Sequence, residues 1–121
     1  MTTQEIAARY QEMMNQRKFV EIQDTFYDEN VVCQESEKAA QMGLAIITNG
    51  REAVKAKGVA RRATIETVHS YNCSTPVVAG EFFSVSLIQD VTFKGKPRMT
   101  LEEIGVFHVK DGKIIKEQFF Y

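Results

Sequence analysis

Two glutamates and a tyrosine are the residues whose types and positions best suit chemistry. Glu35 ends the run Val31-Val32-Cys33-Gln34-Glu35, whose alternation places Val31, Cys33 and Glu35 on one face of a short strand. Glu117 shares a face of the last run with Phe119 and Tyr121. A carboxyl group in such apolar company resists ionisation, which suits a general acid or base near neutral pH. The competing reading is that both glutamates stand at strand ends and reach water, because charged groups are rarely fully buried. Tyr10 lies on the inner face of a helix, either as a hydrogen-bond donor to a ligand or as a core tyrosine with its hydroxyl satisfied.

The element that must position Glu117 is the C-terminal stretch Arg98 to Tyr121. Two runs rich in β-branched and aromatic residues flank Lys110-Asp111-Gly112-Lys113, and Asp-Gly tolerates the positive φ angles of a type I′ turn. Counting back from that turn pairs Lys110 with Lys113, Val106 with Glu117, Ile104 with Phe119 and Glu102 with Tyr121. One face then holds Glu102, Ile104, Val106, His108, Ile115, Glu117, Phe119 and Tyr121; of these, Glu102, Ile104, Val106, Phe119 and Tyr121 form, with Cys33, the expected substrate-binding wall. The other holds Leu101, Glu103, Gly105, Phe107, Val109, Ile114, Lys116, Gln118 and Phe120. Apolar residues on both faces require helices on one side and a further layer or a second subunit on the other.

The remaining chain supplies those helices. Thr2 and Glu5 fit a capping box, and Ile6, Tyr10, Met13 and Met14 repeat at helical spacing, so a helix is expected over 3–16. A second runs through Phe19, Ile22 and Phe26 and ends at Asp28-Glu29-Asn30; the strand at 31–35 follows. Residues 36–49 read as a loop or turn of helix and then a brief strand from Leu44 to Thr48. Arg51 to Arg62 reads as a third helix with Ala53, Val54 and Gly58 on a small-residue face. Strands are expected over 64–71 and, after a turn, over 77–93, where Phe83, Val85, Leu87 and Val91 look buried. Lys94-Gly95-Lys96-Pro97 turns the latter into the hairpin. Helices first and strands last is an α+β pattern, expected as one domain over 1–121.

Composition excludes several function classes. Fifteen basic and sixteen acidic residues leave a net charge of -1, and the basic residues are dispersed, which argues against nucleic acid or an anionic membrane as partner. Cys33 and Cys73 show neither CxxC nor Cys/His spacing, and His69 and His108 fall on separate strands, so no metal site is expected. Without a leader-like N-terminus or a long apolar run, the expected location is the cytoplasm.

This order of elements resembles the SnoaL-like group of the nuclear transport factor 2-like superfamily. The residues that carry the likeness are Phe26-Tyr27-Asp28-Glu29-Asn30-Val31-Val32, Asn49-Gly50-Arg51-Glu52-Ala53-Val54, Gly105-Val106-Phe107 and Lys110-Asp111-Gly112-Lys113-Ile114. The resemblance implies a cone-shaped, cystatin-like α+β roll. Three helices would pack on a strongly curved, mixed but mostly antiparallel sheet around a cavity, with dimers formed through the outer sheet face. The chain is similar to ketosteroid isomerases at Arg9-Tyr10, where that family carries its oxyanion-donating tyrosine, and at Glu35, where it carries its base; the third member of that set falls at Gly105. It is similar to limonene epoxide hydrolases at Ile104-Gly105-Val106-Phe107 but has Phe119 where they carry a catalytic aspartate. Asp90 is the nearest match to the aspartate base of SnoaL-type polyketide cyclases.

Two functions follow as expectations. One is a cofactor-independent isomerase, cyclase or dehydratase acting on a small, largely apolar carbonyl compound, with Glu35 removing a proton, Tyr10 donating to the enolate oxygen and Glu117 returning the proton. The other is a non-catalytic ligand-binding or accessory module, since none of the three catalytic sets is complete. A homodimer is expected in either case.

Overall fold

A computed structural model describes residues 1–121. Three helices, α1 (Thr3–Asn15), α2 (Phe19–Phe26) and α3 (Arg51–Arg62), lie with seven strands: β1 (Tyr27–Gln34), β2 (Ile47–Asn49), β3 (Ile65–Cys73), β4 (Val77–Ala79), β5 (Phe82–Phe93), β6 (Arg98–Lys110) and β7 (Lys113–Phe120). The strands form one sheet in the order β2-β1-β7-β6-β5-β3, with β4 paired to β5. Only β1 and β7 run parallel; the other pairings are antiparallel. A short 3-10 helix, Glu37–Met42, fills the stretch before β2.

Local chemistry explains the helices. Thr2 and Glu5 exchange the two hydrogen bonds of a capping box, each 3.1 Å, and α1 buries Ile6, Ala7, Tyr10, Met13 and Met14. At its far end the Asn15 side chain donates to the Cys73 carbonyl at 3.0 Å and accepts from the Cys73 amide at 2.8 Å, fixing α1 to the end of β3. Tyr10 meets Phe107 at 4.6 Å and Phe83 at 5.6 Å between ring centroids, and Phe83 stacks on Phe107 at 4.7 Å. These rings join the helical layer to the concave face of the sheet.

The C-terminal hairpin forms with Asp111 and Gly112 both at positive φ, as a type I′ turn requires. Its register differs from the count made from the turn. Val109 pairs with Ile114, but His108 pairs with Lys116, Phe107 with Glu117, Gly105 with Phe119 and Ile104 with Phe120. Ile115 is an extra residue in β7, a bulge that turns over the pairing of everything beyond it. Glu103, Gly105, Phe107 and Val109 therefore share the inner face with Glu117 and Phe119, while Ile104 and Val106 face outward with Phe120. The expectation that Phe107 and Val109 lie on the outer face is corrected by the same bulge; both are buried.

Two further boundaries differ. The expected strand from Val77 to Phe93 is a hairpin, turned at Gly80 with φ 59, in which Val77 pairs with Ser84 and Ala79 with Phe82. β1 begins at Tyr27 rather than Val31, because its pairing with β7 starts at Tyr27 opposite Ile114 and resumes at Val32 after an irregularity. Such irregularities, with others between β3 and β5, bend the sheet around the helices.

Gly105 is required by close packing. A Cβ there would stand 2.9 Å from the Phe107 ring and 3.1 Å from the Phe119 ring. Gly105→Ala should lower stability by about 1–3 kcal/mol through overpacking, read as a fall in the urea midpoint. An unchanged midpoint would mean that the two rings yield freely.

Candidate functional site

The helices and the concave sheet face enclose a cavity of about 370 Å³, within the range of small-molecule sites. Its wall includes Tyr10 and Met14 from α1, Phe19, Ile22 and Gln23 from α2, and Val54, Lys57, Gly58, Arg61 and Arg62 from α3. The sheet adds Tyr27, Tyr71, Leu87, Glu103, Glu117 and Phe119.

Glu117 is the deepest polar residue, 4% exposed. Burial raises its pKa, and this outweighs the hydrogen bond from the Tyr27 hydroxyl, which favours the charged form. Tyr27 is itself held protonated, first by burial and then by the nearby Glu117 charge. The parallel register sets Cys33 opposite Glu117.

Glu35, just beyond β1, is anchored by three donors. Lys57 reaches its Oε1 at 3.1 Å from α3, the Cys33 thiol approaches the same oxygen at 3.8 Å, and the Tyr121 hydroxyl reaches Oε2 at 3.1 Å. The Lys57–Glu35 ion pair is largely sheltered, with side chains 21% and 14% exposed. Burial opposes the charge of Lys57, but its contacts with Cys33, 2.9 Å away, and with Glu35 offset this, and its pKa is raised. Burial and the adjacent Glu117 push the Cys33 thiol up, so it is a neutral donor here rather than a nucleophile.

Glu103 lies on β6 opposite Leu87, and its carboxyl group makes no hydrogen bond or ion pair with the protein. Desolvation, reinforced by Glu35, raises its pKa from 4.5 to about 7. Tyr10 is 2% exposed and packed on Phe107; its ionisation is strongly suppressed, first by burial and next by Glu117. The hydroxyl has no partner in the protein and borders the cavity.

Of the residues singled out from sequence, Tyr10, Glu35, Glu117, Phe119 and Tyr121 line this one cavity, and Cys33 lies behind it against Glu35 and Lys57. Glu102, Ile104 and Val106 do not line it, and their placement there is corrected: the Ile115 bulge turns them away from the inner face, and Glu102 borders only an adjoining hollow of about 270 Å³ that shares Arg61, Gln89, Glu103 and Tyr121 with the cavity wall. Asp90 is also excluded. It faces outward and accepts two hydrogen bonds from Arg98, at 2.8 and 2.6 Å, and its pKa is lowered mainly by that contact.

Sequence reasoning missed Glu103 and the basic residues. Glu103 alternates with Gly105, Phe107 and Val109, so the buried hairpin face, correctly chosen, would have found it. Val54, Lys57, Gly58 and Arg61 recur at helical spacing, which marks the face of α3 that looks inward.

The fold is an α+β cone whose largely apolar cavity is bordered by Glu35, Glu103 and Glu117, and comparison gives the family. The chain belongs to the SnoaL-like domain family, whose model matches residues 1–121. It is 30% identical to a Mesorhizobium loti protein provisionally designated a SnoaL-like polyketide cyclase, with a TM-score of 0.91 and 100% of both chains covered. TerC, co-crystallised with polyporic acid, is 15% identical with a TM-score of 0.79 over 98% of this chain and 90% of that one. A Catenulispora acidiphila protein of ketosteroid isomerase-like fold, in complex with trimethylamine, is 16% identical with a TM-score of 0.73 over 97% and 85%. These last two show the fold alone, a cystatin-like α+β roll. No curated protein matches the sequence.

The raised pKa of Glu103 links stability to pH. A carboxyl group whose pKa is 4.5 unfolded and about 7 folded favours the folded state fully below about 4.5, and that contribution is lost as pH rises through about 7. Wild-type stability should fall across this window, with Glu103 contributing on the order of 2–3 kcal/mol. Glu103→Gln should flatten the fall in urea titrations between pH 5 and 8. An equal slope in the variant would show that Glu103 does not hold its proton.

Proposed function

We propose that this cavity binds a small, largely apolar carbonyl compound and moves a proton on it without a cofactor, as an isomerase, cyclase or dehydratase would. The observation that carries this reading is the unlike setting of three glutamates in one apolar-walled cavity. Glu35 is paired with Lys57, Glu117 is buried beside Tyr27, and Glu103 is unpaired with a pKa raised to about 7. Groups whose surroundings separate their protonation states are suited to opposite halves of a proton transfer.

Glu35, held in place by its donors, takes a proton from the carbon beside the carbonyl. The electron pair moves onto the oxygen, and Tyr10, kept protonated by burial, donates a hydrogen bond to the enolate. Glu117 in its neutral form returns a proton or orients the substrate. Glu103, free of partners, is the cavity carboxyl best able to change charge during turnover.

Proton–deuterium exchange in D2O, followed by NMR on a panel of small ketones such as 2-tetralone, tests the reading. Exchange beside the carbonyl should exceed the buffer rate, Tyr10→Phe should slow it roughly 10²–10³-fold, and Glu35→Gln should bring it close to background. No exchange across the panel, or variants as fast as wild type, would exclude this mechanism.

One observation favours the alternative, a non-catalytic ligand-binding or accessory module: three protein donors already occupy the Glu35 carboxylate, which leaves less of it open to a substrate. A ligand retained in native mass spectrometry, together with no exchange, would decide for that role. TerC and the Catenulispora protein, which hold small molecules in the same fold, support a small occupant under either reading.

We infer a homodimer formed through the outer sheet face, where Ile104, Phe120 and Phe82 are each about half exposed. Light scattering at micromolar concentration should give twice the chain mass of 13.8 kDa, and Ile104→Glu should give the monomer. A wild-type monomer would remove the dimer. Two free, buried cysteines suit the reducing cytoplasm, the compartment we assign.

A further inference from the structure

We propose that the ligand of this cavity is an apolar compound bearing a carboxylate, and that Arg62 binds this group. The inference rests on the cavity being the ligand site, but not on any catalysis there.

Arg62, in the last turn of α3, is only partly exposed and lines the cavity. Its guanidinium lies 4.8 Å over the Phe19 ring, and Phe19 in turn meets Tyr71 edge-on at 5.5 Å. Gly58, one turn earlier, leaves room for this posture: a Cβ at Gly58 would stand 3.0 Å from Nη1 of Arg62, so the guanidinium lies against the helix at a distance that a side chain there would make it yield.

The folded-back group has no counter-ion. Lys55 pairs with Asp24, Lys57 with Glu35 and Arg98 with Asp90, whereas no carboxylate lies within ion-pair distance of Arg62, and none of its guanidinium N–H groups has an acceptor in the protein. Burial pulls its pKa down, the mark of a cation partly stripped of water without compensation. Arg17 and Arg61 in the same wall likewise lack a carboxylate partner. A wall with unanswered polar groups is built for a ligand that answers them.

Charge favours a carboxylate over a phosphate. The guanidinium fork can hold either group in a bidentate pair. A phosphate dianion, however, would bring a second negative charge into a wall that already carries the Glu35 carboxylate.

Isothermal titration calorimetry with 2-naphthoate and 2-naphthamide tests this, since the two probes share a shape and differ in charge. Wild type should bind the acid on the order of tenfold more tightly than the amide. Arg62→Gln should erase that preference. Equal binding of both probes, a preference that survives Arg62→Gln, or no binding of either would overturn the proposal. Should the acid bind through Arg62 while no ketone exchanges, the ligand assignment stands and the catalytic reading falls. Ketone exchange without a preference for the acid would leave the catalytic reading standing and remove the carboxylate.

Discussion

The burial of the Glu117 carboxyl group is the constraint around which the site is arranged. Water is nearly excluded from it, and an isolated carboxylate there would cost several kcal/mol in lost solvation. The group therefore favours its proton, and Tyr27 is drawn into the core as its partner. Tyr27 begins β1, and the parallel pairing of β1 with β7 aligns Cys33 with Glu117 farther along. A parallel neighbour needs a long connection, and here α3 and most of the sheet lie between the two strands in sequence. That connection brings Lys57 over Cys33 and Glu35, so the paired carboxylate and the buried carboxyl sit on either side of one seam.

Shape depends on the bulge at Ile115. The extra residue puts Phe107 and Glu103 on the same face as Glu117, and the absence of a side chain at Gly105 lets Phe107 and Phe119 close against each other edge-on at 6.1 Å. The aromatic wall keeps the local dielectric low, which separates the behaviour of Glu103 and Glu117 from that of carboxylates on the surface. The same bulge turns Ile104 and Phe120 outward and creates the apolar outer face.

What could be read in the sequence was mainly local. The capping box of α1, the bounds of α3 and the Asp-Gly turn depend on neighbours a few residues apart, and the structure keeps them. Burial of Phe83, Val85, Leu87 and Val91 followed from alternation within one strand. The register of the hairpin did not follow, because neither glycine nor proline marks Ile115, and a shift of one residue moves an entire face. Glu102, Ile104 and Val106 were misplaced and Glu103 passed over for this single reason. Gly80 did carry a signal, since a glycine inside a strand pattern marks a bend. The pairing of Glu35 with Lys57 joins residues from different elements, and helical spacing could indicate only which face of α3 turns inward.

The central claim is that carboxyl groups in this cavity hold protons at pH values where surface glutamates have lost theirs. Carbon-13 NMR of protein labelled at the glutamate side-chain carboxyl carbon measures this directly across a pH titration. One resonance, absent in Glu103→Gln, should titrate at about pH 7, and another, absent in Glu117→Gln, should remain in its protonated position well above the range of an ordinary glutamate. If every glutamate resonance instead titrates at about 4.5, as an unperturbed glutamate does, the cavity does not shift its carboxyl groups and the claim is wrong.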